Sequence, residues 1–377
     1  MQLECKEFAI FALTFQTINV DRNMIDKIDI KNFKSIAQAS MTLGRVNLFI
    51  GANGSGKSNI LEAVGMAAAI RNNEVALDSL VQRGVRIARP ELMTNSFYGQ
   101  LSSRLIRISF YEGETMASYD IERLKSSDIY APWKVGGVSV HQEEENLKDL
   151  QEMIFRYAIY SPDIDALRGL TSGATLYPLG LHGEGLDVLL SQLSKEELGV
   201  IKDTVKQFVS WVDDMTFDFE GVYKFQGYKL GRSKSDLYFR DSFMQKKNNL
   251  FSAENANEGV LVLLFYLALL VSKSTPKFFA IDNIDTGLNP RLCRYLMKVI
   301  VKLAAQYDKQ LLITTHNPAI LDGITLNGDG THLFVVERSD EGDTRINELK
   351  IKPATERRMK LSEMWMNGLI GGIPEEF

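Results

Sequence analysis

Cysteine is nearly absent. Cys5 and Cys293 stand far apart in 377 residues, so no disulfide framework holds the chain, and a reducing cytoplasm is the expected compartment. Histidine is almost as scarce: His141, His182, His316 and His332 form no short ligand-spaced cluster, and no structural zinc is expected. Long apolar runs are missing too. The longest, Val260 to Val271, has 12 residues against the roughly 20 that a membrane-spanning helix needs, and it reads as a buried core helix. The apolar stretch Phe8 to Phe15 follows Glu4 and Glu7 and lacks a basic lead and a small-residue cleavage pattern, so no export signal is evident. Neither sign of charge dominates. With 43 Lys+Arg against 48 Asp+Glu and a net charge of −5, a coat of positive charge for constitutive nucleic-acid binding is excluded, although a local basic stripe is not. Internal repeats and sustained heptads are also lacking, which excludes a long coiled-coil arm.

What is present is a globular composition, 45% hydrophobic and 24% charged. Met24 opens what looks like the true start of the fold, so residues 1–23 read as an N-terminal extension or an upstream start-codon choice. From there MIDKIDIKNFKSI alternates like a strand, RVNLFIG is an apolar strand ending in glycine, and ANGSGKSNILEAVGMAAAI is a tight turn entering an Ala-rich helix. Residues 104–111 and 117–123 read as paired strands, and Ser194 with Glu197 has the spacing of a capping box. Residues 216–240 return to strand alternation with glycine turns. Apolar strands are then expected at Phe278–Ile281 and Leu311–Thr315, with an amphipathic helix from Pro290 to about Tyr307 between them.

Gly51-Ala52-Asn53-Gly54-Ser55-Gly56-Lys57-Ser58 matches G-x-x-x-x-G-K-[ST] in the strand–turn–helix setting that a phosphate-binding loop requires. Glycines let backbone N–H groups of Asn53, Gly54, Ser55 and Gly56 converge on phosphate oxygens, and the helix N-terminus adds its positive dipole end. Lys57 reaches the β- and γ-phosphates and Ser58 supplies a hydroxyl for Mg²⁺. Asp282 ends an apolar strand, where an acid beside such a loop holds the metal, usually through water. His316 ends another and is placed to meet the γ-phosphate or the attacking water.

Taken in this order, the P-loop, then Asp282-Asn283-Ile284-Asp285-Thr286-Gly287-Leu288-Asn289-Pro290, then Thr315-His316 resemble the ABC-type ATPase heads of the RecF, SMC and OLD group. The nearest resemblance is to the AAA15/AAA21-type prokaryotic ATPases found in anti-phage defence operons. Asn32-Phe33-Lys34-Ser35-Ile36 and Leu361-Ser362-Glu363-Met364-Trp365 through Gly371-Gly372 also resemble that group, and Asn257-Glu258-Gly259 matches its signature turn loosely. The resemblance implies ATP and Mg²⁺ as cofactors, Lys34 among the nucleotide-binding residues, and a head-to-head homodimer or higher oligomer in which Asn257 and Gly259 contact ATP held by the partner subunit. It implies an α/β fold of the P-loop NTPase, ABC-ATPase head type: a mainly parallel sheet, an antiparallel lobe and a helical insertion. The expected division is 24–124 for the first lobe, 125–215 for a mostly helical insertion and 216–377 for the second lobe.

One departure bears on rate. Where the group generally has Asp-Glu, this chain has Asp282-Asn283, a carboxamide that orients water but accepts no proton at pH 7. Losing a general base typically costs about 10²- to 10⁴-fold. Asp285 either compensates or serves as a turn or N-cap residue. The expected function is therefore an ATP-binding, slowly hydrolysing sensor or scaffold of an anti-phage complex, with a separate nuclease or toxin as effector. A DNA-stimulated repair ATPase and a non-hydrolysing scaffold remain as alternatives; a membrane-transporter subunit is disfavoured, and no membrane partner is expected. Nucleic acid stays open as a partner through the stripe Tyr223, Lys224, Phe225, Tyr228, Lys229, Arg232, Lys234, Tyr238, Lys246 and Lys247, or through Arg83, Arg86 and Arg89. The bland reading of the stripe, a hairpin with buried aromatics and solvated lysines, is favoured.

Overall fold

The structure is a computed structural model that describes residues 24–97, 104–123, 128, 130–141, 144–171, 173, 175–326, 330–351 and 359–372. The expected extension at 1–23 and Cys5 lie outside the described residues.

The alternating opening forms β1 (Lys27–Phe33), which buries Ile28, Ile30 and Phe33, and returns as β2 (Ile36–Thr42) through a turn at Lys34-Ser35. All five residues of β3 (Val46–Ile50) are buried, and the glycine-rich turn leads into α1 (Lys57–Ala68). The short β4 (Glu74–Val75), α2 (Leu77–Val81) and α3 (Pro90–Met93) precede the paired β5 (Leu105–Glu112) and β6 (Thr115–Glu122), then β7 (Trp133–His141). After α4 (Glu144–Phe155) and β8 (Ile159–Tyr160) come α5 (Ile164–Leu167), α6 (Leu186–Gln192) and α7 (Lys195–Phe208), the last started by the expected Ser194–Glu197 capping box. A small sheet follows, made of β9 (Val212–Phe217), β10 (Leu237–Asp241) and β11 (Leu250–Ser252), with the single turn α8 (Val222–Phe225) between its first two strands. The last third runs α9 (Glu258–Val271), β12 (Phe278–Ile281), α10 (Pro290–Gln306), β13 (Gln310–Thr314), β14 (Thr331–Arg338), β15 (Thr344–Glu348) and α11 (Leu361–Met366).

Two six-stranded sheets sandwich α1. The antiparallel one has the order β2-β1-β5-β6-β7-β4; the central one has the order β15-β14-β3-β13-β12-β8 and is parallel except for its edge strand β15. The central strands are apolar throughout because both faces are covered. Phe49, Phe278, Ala280 and Leu312 face the core shared with α1, whereas Leu48, Ile50, Phe279, Ile281, Leu311 and Ile313 face the core of α9 and α10. Every residue of α9 from Val260 to Val271 is buried, as expected of a helix that is apolar all round. Each such aliphatic side chain contributes about 1.5–3 kcal/mol by leaving water.

Two expectations need correction. Residues 125–215 are not an insertion appended to the sheets: β7 pairs with β6 in the antiparallel sheet and β8 pairs with β12 in the central one, so the segment is woven into both. Two residues of β8 are too short to carry an alternation pattern, and its partner is 121 positions away. Nor is 216–240 strand throughout: its ends pair antiparallel, Thr216 with Tyr238 and Phe217 with Leu237, but no tight turn joins them. Between β9 and β10 the chain turns through α8 and an irregular loop, because the Asp218 carboxylate accepts the N–H groups of Val222, Tyr223 and Lys224 and nucleates a helical turn. No described helix is long and apolar enough to cross a membrane.

Candidate nucleotide-binding site

Three strand ends converge. The loop after β3, Asp282 after β12 and Thr315-His316 after β13 lie at the C-terminal edge of three neighbouring parallel strands, where ligands of such sheets bind. Gly51 and Gly56 are required by contact as well as by backbone. With φ of +108°, Gly56 would place a Cβ 2.1 Å from Thr344 Oγ1; a Cβ on Gly51 would lie 2.1 Å from the Val336 carbonyl oxygen. The β14–β15 hairpin therefore braces the loop from below. Thr344 Oγ1 donates to the Ser55 carbonyl at 2.9 Å, and Arg338 Nε donates to that of Gly54 at 3.1 Å. Gly371-Gly372 braces it too, since a Cβ on Gly372 would meet the Gly51 Cα at 3.1 Å.

Lys57 is 5% exposed and its ammonium donates to the carbonyls of Gly51 (2.8 Å) and Ala52 (2.9 Å). Burial pulls its pKa down to about 8, opposed by the charges of Asp282 and Asp285. Ser55 Oγ is buried within the loop without a partner. Asn53 and Gly54 are exposed at the rim. Ser58 donates to Asp282, 3.0 Å from Oδ2 and 3.2 Å from Oδ1. Two oxygens cis in an octahedral shell at 2.0–2.1 Å stand about 2.9 Å apart, so this pair of hard donors fits Mg²⁺. The cradle of glycines, the unpartnered Ser55 hydroxyl and the inward lysine fit a polyphosphate.

Asn283 follows Asp282 with φ of +54°, a left-handed backbone that asparagine tolerates. Its N–H donates to Thr314 Oγ1 at 2.8 Å, and the same hydroxyl donates to Asp282 Oδ1. Asp285 is tied to the histidine loop: its Oδ1 accepts from Thr315 Oγ1 at 2.6 Å and from the His316 N–H at 3.2 Å. The His316 ring is pushed toward its neutral form, first by burial and then by Lys57, against the pull of Asp285 and Asp282.

Lys34 does not reach the loop. Its ammonium pairs with Glu62, one turn beyond Ser58 on α1, and donates to the Arg86 carbonyl at 3.0 Å. Arg86 Nε binds the other oxygen of this buried carboxylate at 2.5 Å, and Arg86 also feels the charge of Asp282. Sequence reasoning missed Glu62, Arg86, Thr314 and Thr344 as parts of the site. Glu62 was the readable one, a lone acid in the otherwise apolar helix ILEAVGMAAA.

The signature-like turn sits elsewhere. Asn257 N-caps α9 by accepting the Gly259 N–H at 2.8 Å. A Cβ on Gly259 would lie 3.6 Å from Leu292 and one on Gly287 3.5 Å from Val262, so the turn borders the loop from Asp285 to Asn289. Among the described residues, neither Asn257 nor Gly259 bonds to the P-loop of its own chain. The basic stripe also disperses. Tyr223 packs edge-on against Tyr228 and Tyr238, and the buried Lys229 donates to the Ser235 carbonyl at 2.5 Å.

A glycine loop with an inward lysine, an acid on the next-but-one strand and a histidine loop between them make up a P-loop nucleotide-binding site on a fold of the ABC head type. The sequence family described as "AAA ATPase domain" matches residues 24–95, and the one described as "AAA domain, putative AbiEii toxin, Type IV TA system" matches residues 214–322. The DNA replication and repair protein RecF of Streptococcus thermophilus is 40% identical over 55 residues, 14% of this chain and 15% of that protein. RecF of Magnetococcus marinus is 30% identical over 95 residues, 22% of this chain and 25% of that protein, so these matches span a quarter or less of the relatives' length. A solved SMC head bound to the C-winged helix domain of ScpA superposes with a TM-score of 0.57 at 14% identity, covering 87% of this chain and 98% of that one, which carries the fold. The chain has the fold of the ABC-type ATPase heads and, over these segments, is similar to proteins of the RecF and SMC kind.

Proposed function

We propose that this chain forms a slow ATP-dependent clamp, in which ATP held by the P-loop of one subunit is capped by the Asn257–Gly259 turn of a second. Lys57 and the backbone N–H groups of residues 53–56 bind the phosphates, and Ser58 and Asp282 would hold Mg²⁺, which would supply charge to neutralise the phosphate oxygens. The carrying observation is Asn283. Its backbone is anchored by Thr314 beside Asp282, where a carboxylate would serve as general base, and a carboxamide there orients water without taking its proton. Asp285 is engaged with Thr315 and His316, which favours a role in joining two loops over one as base. The signature-like turn caps α9 and borders the loop from Asp285 to Asn289, with no bond to its own P-loop among the described residues, which supports capping by a second subunit.

In this reading the clamp is the sensor or scaffold of a prokaryotic anti-phage complex, and its ATP state controls a separate effector, a nuclease or toxin. The description of the family matched over residues 214–322, a toxin of a toxin–antitoxin system, supports that setting. The RecF relatives, named for DNA replication and repair, support the runner-up, a head whose hydrolysis DNA stimulates.

Light scattering with ATP or ADP, together with single-turnover hydrolysis with and without duplex DNA, tests both. Wild type is expected to dimerise with ATP alone and to hydrolyse it slowly regardless of DNA, while Lys57→Ala and Asn257→Ala stay monomeric. A monomer at saturating ATP sinks the clamp, and DNA-stimulated turnover transfers the reading to repair.

A further inference from the structure

At the far end of α1 from the P-loop lies a cleft of about 470 Å³ that the nucleotide site does not use. Arg71, Arg83, Lys148 and Arg156 line it, against a single carboxylate, Glu152, which stands 3.8 Å from Arg156. The helices α1 and α4 both end here. Ala68 O accepts from Arg83 Nε at 3.3 Å and from Arg71 Nη1 at 3.2 Å, and Phe155 O accepts from Arg83 Nη2 at 2.7 Å. These bonds explain part of the basic cluster as caps on helix C-termini, each worth about half a negative charge. Four cations set against Glu152 and two half-charges still leave about two units of positive charge, in a chain whose net charge is −5.

The arginines are also laid on rings. Arg83 lies over Tyr177 at 5.5 Å from the ring centroid and Arg71 over Phe155 at 5.6 Å, and Leu176 adds an exposed apolar wall beside them. Tyr177 holds Arg83 in place, accepting from its Nη1 at 2.7 Å and donating its own hydroxyl to the Arg156 carbonyl at 2.8 Å. The Arg83 pKa is lowered, first by burial and also by the charge of Arg71, so the two guanidinium groups repel where an anion would bridge them. Gln151 supplies an amide at the rim, able both to donate and to accept.

We infer that this cleft is a second binding site, for a free nucleotide: phosphate oxygens against the exposed Arg71 and Lys148, with the buried Arg83 behind them adding its charge and fixing Tyr177, and the base against the wall of Tyr177 and Leu176. Concave shape, a mainly aromatic wall and a few convergent polar groups are what such ligands use. Hydrogen bonds tie the segment after α4 to the elements of the first site. Tyr157, two residues after Phe155, donates its hydroxyl to Leu61 O of α1 at 3.1 Å, and Tyr160 O accepts the Asp282 N–H at 2.9 Å.

The site is tested in the full chain carrying Lys57→Ala, so that failure of the P-loop reading and failure of this one are separate. Fluorescence anisotropy of methylanthraniloyl-ADP is expected to show saturable binding that survives Lys57→Ala. Arg71→Glu and Lys148→Glu, both at exposed positions, should each weaken it at least about tenfold by placing like charge against the phosphate, with melting temperatures showing that the variants fold. Absence of saturable binding in Lys57→Ala, or binding indifferent to both reversals, overturns the site. Displacement by inorganic pyrophosphate as effectively as by unlabelled ADP overturns its assignment to nucleotides.

Discussion

The Thr314 hydroxyl oxygen accepts the backbone N–H of Asn283 at 2.8 Å, so the residue after Asp282 is held by the end of the neighbouring strand. Because that hydroxyl also donates to Asp282, one buried oxygen orients both residues. Thr314→Val removes the donor and the acceptor together and is expected to cost about 1–3 kcal/mol, leaving a backbone N–H unpaired. Thr314→Ser should retain most of the stability. Urea unfolding of the two variants checks this, and equal stability of Val and wild type would show that the hydroxyl orders nothing.

Asn283→Glu restores a carboxylate at the base position and should raise the single-turnover rate of ATP hydrolysis by about 10²-fold or more. It also replaces a residue that tolerates φ of +54° by one that does not. A penalty of about 1 kcal/mol is expected. Quenched-flow kinetics and thermal melting read the two effects separately; an unchanged rate would leave Asp285 or another group as the base.

Lys57 gives the site a pH dependence. Burial holds its pKa at about 8 in the structure without nucleotide, and the charged form is the one that binds phosphate. Below that value the ammonium is already protonated when ATP arrives. Above it, binding must take up a proton, so affinity is expected to fall by up to about tenfold per pH unit. Calorimetry in buffers of different ionisation enthalpy should show near-zero proton uptake at low pH and uptake approaching one proton well above about 8.

The Glu62 carboxylate separates two lysine and arginine roles. Lys34→Met removes a partner with 12% side-chain exposure from a carboxylate with 3%, and Arg86 only partly compensates. A loss of about 1–3 kcal/mol is expected by denaturant unfolding. Arg86 has 69% side-chain exposure, so Arg86→Ala should leave folding nearly unchanged while weakening ATP·Mg²⁺ binding through the charge lost beside Asp282. A stability loss in Arg86→Ala as large as that in Lys34→Met would reverse the two roles.

Local signals were legible where the chain needs only itself. The strand–glycine–lysine run, the apolar strands ending in Asp282 and Thr314, the buried helix from Val260 and the Ser194–Glu197 cap all form where their residue patterns put them. Lys34 was readable as a site residue only through resemblance, and the structure turns it to Glu62. Strand in 216–240 is shorter than its alternation suggests, because alternation counts residue types, whereas the Asp218 carboxylate captures three successive N–H groups and bends the chain into α8.

By itself, then, the sequence determined a glycine loop that no other chemistry explains as well, the acid, amide and histidine that follow it, and a core helix apolar on every side. Only the tertiary structure decided the strand order that sets β3 beside β13 and β13 beside β12, the pairing of β8 across 121 positions, the hold of Thr314 on Asp282 and Asn283, and the cationic cleft at the end of α1. The reason is physical: periodicity and turn chemistry act over a few neighbouring residues, whereas a hydrogen bond or charge cluster between distant segments exists only once packing has brought them within about 3–4 Å.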